Sequence, residues 1–244
     1  EGTAEYRYDG GSVALSGALF GWNDPAGVVI AEEGWTLTDR PQGLFSPTRL
    51  PDLAGFGSGS EVYGNLFTEM DGRPGWYGDL SWQSDDFGQA NVVYYDNEAD
   101  PRVIKDNQIA WATRFWEAGF EKQLGKFTLL AQGLSGATTI IPSPFYRQTT
   151  DFRAAYALVG YDMGPLLFAA RGDIFQTRTR ATFPSDLNED GHAVTLSMTW
   201  LPEKWLRFTG ELIALDDRRD ERVLAGDPAH QDETQFQLLA RVYF

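Results

Sequence analysis

The sequence predicts an all-β fold, a transmembrane antiparallel β-barrel of about 12 strands, with more if the chain is N-terminally incomplete. Three observations carry the prediction. Segments that alternate apolar and polar residues recur along all 244 residues, with no convincing amphipathic helix among them. Many run ten residues or more, longer than the usual five or six of globular strands, and long enough to cross a bilayer at a tilt. The connections alternate between tight turns and long polar stretches, as the two rims of a membrane-spanning barrel require. The final segment, QFQLLARVYF (235–244), alternates to its last residue. Its face of Phe236, Leu238, Ala240, Val242 and Phe244 needs an apolar environment out to the chain end.

Composition narrows the function classes. A net charge of −15 and a pI of about 4.5 argue against a nucleic-acid partner. Without cysteine there is no disulfide framework and no thiolate metal site. No run approaches the roughly 18 apolar residues of a membrane helix. Nor is there a positively charged apolar leader, so any signal peptide is expected to have been removed. Aromatic residues at 14%, 26 glycines and only 2 histidines fit a β protein with one polar and one apolar face.

In chain order the expected strands are 3–9, 12–22, 27–37, 75–83, 88–96, 108–121, 125–136, 151–162, 165–178, 191–201, 204–215 and 234–244. Tight turns are expected at NDPAG (23–27), DDFG (85–88), KQLGK (122–126), DMGP (162–165) and LPEK (201–204). The long stretches are 38–74, 97–107, 137–150, 179–190 and 216–233. Counting back from the last strand puts every short turn on one rim except the first hairpin at Asp9-Gly10-Gly11. Both termini then fall at the periplasmic rim of a single domain, 1–244. The segment 38–74 is either an extracellular flap or a loop folded inward as a constriction. Its GFGSGS (55–60) permits tight turns, and Phe45, Phe56, Tyr63 and Phe67 flank it.

The faces follow from the period of two. Val194, Leu196, Met198 and Trp200 oppose Ala193, Thr195, Ser197 and Thr199; Leu206, Phe208, Leu212 and Ala214 oppose Arg207, Thr209 and Glu211. Trp76, Leu80 and Trp82 oppose Tyr77, Asp79, Ser81 and Gln83. The apolar faces are assigned to lipid, with Trp82, Trp200 and Phe244 in an interfacial aromatic girdle. Two places resist the pattern. Glu32 and Glu33 are adjacent, so a regular strand would turn one of them into lipid, and Arg114 and Glu117 pose the same difficulty.

QLLARVYF resembles the closing strand of Gram-negative outer-membrane β-barrel proteins, which ends in an aromatic residue read by the barrel-assembly machinery. GALFGWNDPAG (17–27), GWTLTDRPQGLF (34–45), VYYDN (93–97) and WATRFWEAG (111–119) resemble an uncharacterised proteobacterial porin-like family. The resemblance implies the bacterial outer membrane as location. Its implied partners are membrane lipid and lipopolysaccharide, the assembly machinery, and a homo-oligomer or membrane complex. In that family further strands precede the region that matches residue 1.

The expected lumen carries charge of both signs. Arg153, Arg171, Arg207 and Arg241 would form one basic wall, accompanied by Asp173 and Glu211, with Glu5 and Asp79 on the opposite wall. Closure would bring Arg241 towards Glu5 and Arg7. Such walls either set a transverse field across a pore or knit into a salt-bridge network that plugs it. DLNEDG (186–191) places Asp186, Asn188 and Asp190 at alternate positions, a pattern for one calcium ion, although the same residues also make an ordinary polar turn. No other cofactor is expected. Catalytic motifs are thin: Asp190-Gly191-His192 is similar to the acid–histidine pair of outer-membrane aspartyl proteases, without a second aspartate pair. The leading expectation is a non-enzymatic porin-like channel for passive diffusion of small polar or ionic solutes. The alternatives are a structural or assembly barrel with a plugged lumen that binds partners or lipopolysaccharide, and an outer-membrane hydrolase.

Overall fold

A computed structural model of the chain describes residues 1–35, 48–49, 63–64, 68–182 and 188–243. Eleven strands form one antiparallel sheet whose spatial order is the chain order. They are β1 (Gly2–Tyr8), β2 (Gly11–Phe20), β3 (Gly75–Ser84), β4 (Gly88–Asp96), β5 (Ala112–Leu124) and β6 (Phe127–Ser143). β7 (Tyr146–Asp162), β8 (Leu166–Ala181), β9 (Glu189–Glu203), β10 (Leu206–Arg219) and β11 (His230–Val242) complete it. Two ladders of two residues a side, Thr48–Arg49 with Tyr63–Gly64 and Ile104–Lys105 with Gln108–Ile109, lie in the connections.

Over 27–35, the described part of the strand expected at 27–37, there is no strand. Val29–Glu33 is a π-helix, entered through a turn in which the Val28 and Val29 amides donate to the Pro25 and Ala26 carbonyls at 2.9 and 3.0 Å. A short apolar run such as VVIA does not reveal by periodicity whether it is strand or helix. The backbone there is out of the sheet, so strand alternation does not apply to Glu32 and Glu33. The loss also shifts the parity of everything before it. The Asp9–Gly10 turn moves to the short-turn rim, where the Asp85 amide donates to the Gly10 carbonyl at 3.0 Å. The same rim is stitched by backbone bonds from Asp162 to Lys126, from Leu201 to Pro165 and from Tyr243 to Trp205.

The first hairpin thus joins DDFG, KQLGK, DMGP and LPEK on the short-turn rim and is no exception. The termini separate, however: β1 begins at the loop rim and β11 ends at the short-turn rim, which corrects the expectation that both share one rim. β1 and β11 are the two edges of the sheet and point the same way. Among the described residues no ladder joins them, so Arg241 is not paired with Glu5 or Arg7. A further difference lies at 137–150, expected as a loop. β6 and β7 run on as 17-residue strands to a tip at Pro144–Phe145, with Ser143 opposite Tyr146.

Register fixes the faces. Across the sheet, Val13, Trp82, Ala90, Phe120, Ala131, Ala157, Gly172, Val194 and Ala214 form one row on the outer side. Aromatic rings gather in two outer belts. Near the short turns, Phe127 contacts Tyr161 (4.8 Å between centroids) and Trp200 stacks on Phe208 (5.7 Å). Nearer the loops, Trp76, Tyr94 and Trp116 stand in series at 5.1 and 4.7 Å. Such belts mark the two interfaces of a membrane barrel. Phe244 lies outside the described residues.

The buried core lies inside the barrel, close to the loop rim. One cluster is Ala31, Trp111 and Ile140 with Val28, Ile109 and Tyr146 against it. A second is Phe175, Ala193 and Leu215 with Trp35 and Ala154. Both contain residues of the segment 23–35 and inward residues of the wall.

Candidate functional site

The polar face of the sheet is the candidate site, and it divides into two levels. At the loop rim the segment 23–35 lies across the inward side chains of β6 to β10. Gly27 stands so close to Thr138 and Trp111 that a side chain there would collide with both. Gly34 has φ +73° and approaches the Glu189 carboxylate, and the next amide, Trp35 N–H, donates to Glu189 Oε2 at 2.5 Å. Glu189 is 1% exposed, and Thr138 and Thr150 are fully enclosed. Hydroxyl ladders satisfy the threonines: Thr113 with Thr138 at 2.7 Å and Thr150 with Thr179 at 3.0 Å. On β10 the enclosed Asp217 pairs with Arg222 at 2.8 Å, and Arg219 pairs with Glu221.

Asp24, in the same segment and outside the strands, has its carboxyl pushed above the usual range by burial. The Ala26 amide, which donates to it at 2.9 Å, pulls partly the other way, and the nearby Glu69 adds to the rise. The sequence left 38–74 as either an extracellular flap or an inward loop; of it, residues 38–47, 50–62 and 65–67 lie outside the described residues. The neighbouring stretch 23–35, read there as a turn and a strand, packs inward.

Below this level the wall is charged, and no described segment lies across it. Arg171 and Asp173, two residues apart on β8, form an ion pair, and the Arg171 guanidinium lies over the Tyr156 ring at 4.2 Å. Glu5 pairs with Arg7 on β1 at 2.9 Å. Arg207 and Arg241 are direct cross-strand neighbours at the short-turn end, and Arg207 lies 5.7 Å from the Tyr243 ring. Glu211 faces inward between Ser197 and Gln237. Asp79 accepts from Asn91 at 3.4 Å.

Glu117 stood out in the sequence only for its conflict with Arg114, and Glu121 not at all, yet both line the same wall. Glu117 lies in one register row with Asp79 and accepts from Gln132. With Gln89, Asn91, Gln132 and Tyr156 they bound a cup of about 160 Å³. Their alternation with Trp116, Ala118 and Phe120 was the available signal. Among the described residues Asp79, Glu117 and Glu121 have no ion-pair partner. This is an acidic wall.

Arg153 is placed differently. Its register partners are Ser135 and Gln176, and its face is that of Ala155, Ala157 and Val159, so it points outward. The single basic wall is therefore not assembled. Arg153 is nine residues from Asp162, a rise of roughly 20 Å at ~3.3 Å per residue and ~45° tilt. That height is near the upper edge of an apolar band about 25 Å tall, where the cost of a lipid-facing arginine falls from about 2–4 to about 0–1 kcal/mol. Arg114 shares this outer level, while Glu117 faces inward, which resolves their conflict. Around it Arg114, Arg147 and Arg180 line an outer groove of about 400 Å³ with Thr139, Thr149 and Asp151. Arg180 pairs with Asp151 at 2.7 Å; among the described residues Arg114 and Arg147 have no ion-pair partner.

Of the expected calcium triplet, the two described residues are engaged separately. Asp186 lies outside the described residues. Asn188 Oδ1 accepts from the Thr179 amide at 3.2 Å, and Asp190 faces outward to Arg178 at 3.2 Å. His192 also faces outward, with Nδ1 3.8 Å from Asp216.

No family model matches the chain, and neither does any curated protein sequence. Among solved structures it is similar to in-vitro folded OmpT, an outer membrane protein of Vibrio cholerae. The TM-score is 0.50 at 13% sequence identity, over 96% of this chain and 76% of that one. Together with the apolar outer band, the likeness makes the fold that of a bacterial outer-membrane β-barrel.

Proposed function

We propose that the barrel is a porin-like channel for passive diffusion of small polar or ionic solutes, with residues 23–35 as its constriction. One observation carries this reading. Among the described residues, the segment 23–35 covers the polar face at the loop rim, whereas none lies across the charged and amide side chains that bound the cup in the wall below it. Asp79, Glu117 and Glu121 set a negative potential along one side, and Arg171 is neutralised locally by Asp173. Fixed carboxylates without counter-charges favour cations in a narrow pore. No catalytic group is assigned.

The test is reconstitution of the folded chain in planar bilayers. Stable conductance steps with potassium preferred over chloride are expected. Replacing Asp79→Asn, Glu117→Gln and Glu121→Gln together should move the reversal potential towards chloride. The move should shrink in 1 M salt, where the Debye length is about 3 Å. A heat-modifiable, folded preparation without conductance steps would sink the channel reading.

A second reading, a barrel that holds lipopolysaccharide, is favoured by the outer groove of Arg114, Arg147 and Arg180. Guanidinium groups bind phosphate bidentately, and the groove opens at the height of the outer-leaflet headgroups. The Arg114→Ala/Arg147→Ala protein should retain several-fold less lipopolysaccharide after detergent washing. Equal retention would remove this reading and leave the channel untouched.

A further inference from the structure

The geometry points to a divalent transition-metal site on the outer face of β9, β10 and β11, formed by Asp216, His230 and Asp232 with His192 behind Asp216. It is independent of whether the lumen conducts. Register carries the assembly: His192, Asp216 and Asp232 are consecutive cross-strand partners, and His230 stands two residues from Asp232 on the same face. His230 Nε2 lies 3.7 Å from Asp216 Oδ2 and 3.8 Å from Asp232 Oδ2. One ligand atom from each of Asp216, His230 and Asp232 falls within 4.8 Å of the others. Ligands at about 2.0–2.2 Å from a zinc ion stand about 3.3–3.6 Å apart, so the three need only a small closure. The other oxygen of Asp216 faces His192 Nδ1 at 3.8 Å, which orients the carboxylate or supplies a fourth ligand.

A second observation asks for a cation here. Asp216 and Asp232 are directly opposed, and like charges in that relation destabilise a sheet. The nearest guanidinium groups are engaged elsewhere: Arg218 with Asp220 at 3.2 Å and Arg178 with Asp190 at 3.2 Å. Both histidines of the chain belong to the cluster. An imidazole nitrogen among carboxylates selects zinc-like ions over calcium or magnesium. The cluster begins where the outer faces stop being apolar, after Val194 on β9, Ala214 on β10 and Phe236 and Thr234 on β11. Its open positions therefore meet water and headgroups rather than hydrocarbon.

The detergent-folded chain should be titrated with Zn²⁺ against a chromophoric chelator. One ion per chain is expected, with affinity reduced tenfold or more in His230→Ala and in Asp216→Asn. Asp190→Asn, on the same face but engaged by Arg178, should bind as the unaltered chain does. In the unaltered protein, Zn²⁺ should protect His230 from diethyl pyrocarbonate, a readout that requires no variant. Unchanged stoichiometric binding in His230→Ala, or modification of His230 at the same rate with and without Zn²⁺, would overturn the site.

Discussion

The two levels of the polar face share the same strands and the same alternation, yet one is a packed core and the other a bare wall. On β7, Phe152 is 2% exposed, whereas Ala154, Tyr156 and Leu158, further along the same inward face, are only half-buried. On β8, Phe175 and Thr177 are buried and Arg171 is not. Among the described residues the difference is the segment 23–35, which covers only the loop-rim level. Inward-facing chemistry thus does not decide burial in a barrel; what lies across the lumen does. In the proposed channel, residues at the covered level would hold the constriction and residues at the open level would tune what passes.

The largest effect should come from the covered level. Trp111→Ala removes the centre of the cluster with Ala31 and Ile140 and should cost about 3–5 kcal/mol, read as a lowered denaturation midpoint in detergent. Conductance should rise as 23–35 undocks. If the midpoint falls but conductance does not change, the segment is not the constriction.

Next is Glu189→Ala, which leaves the Trp35 amide without its acceptor at a cost of about 1–3 kcal/mol. Hydrogen exchange at Trp35 should accelerate while exchange in β3 and β4 stays constant. Uniform acceleration would mean that the bond supports the whole barrel and not the segment alone.

At the open level the stability cost should be small. Arg171→Ala breaks an exposed ion pair of at most about 1 kcal/mol and frees the Asp173 carboxylate. The reversal potential should move further towards cations, and a shift towards anions would contradict the charge assignment of this wall.

The smallest effect concerns Asp24. Its raised carboxyl pKa means that the folded state binds the proton more tightly than the unfolded chain does. The stability it contributes is full below the ordinary carboxylate range and is lost as pH rises through the raised value. Acidification through that window should slow exchange in 23–35, and Asp24→Asn should abolish the pH dependence. A pH dependence that survives the substitution would assign it to another group.

Particular residues show how much was legible beforehand. The outer faces of β3, β9, β10 and β11 could be read because apolar and polar residues alternate cleanly there. β7 could not be read in the same way: Phe152, Ala154 and Leu158 on one face and Ala155, Ala157 and Val159 on the other are both apolar. Arg153 was consequently assigned to the wrong side until its pairing with Ser135 and Gln176 fixed it. The segment 27–37 misled for another reason, since a run of four apolar residues carries no period.

By itself the sequence determined the barrel: strand length, alternating polarity and turn spacing are local properties, and the hydrocarbon band enforces them at each strand separately. The tertiary structure alone decided three further things. It turned 23–35 inward, because only then do Trp35, Val28 and Ala31 find the apolar residues of distant strands. It set the rim of each terminus, since the loss of one strand reverses the parity of all that precede it. It also brought His192 and His230 to one carboxylate, because register relates residues far apart in the chain by their hydrogen-bonded rows, which no local pattern encodes.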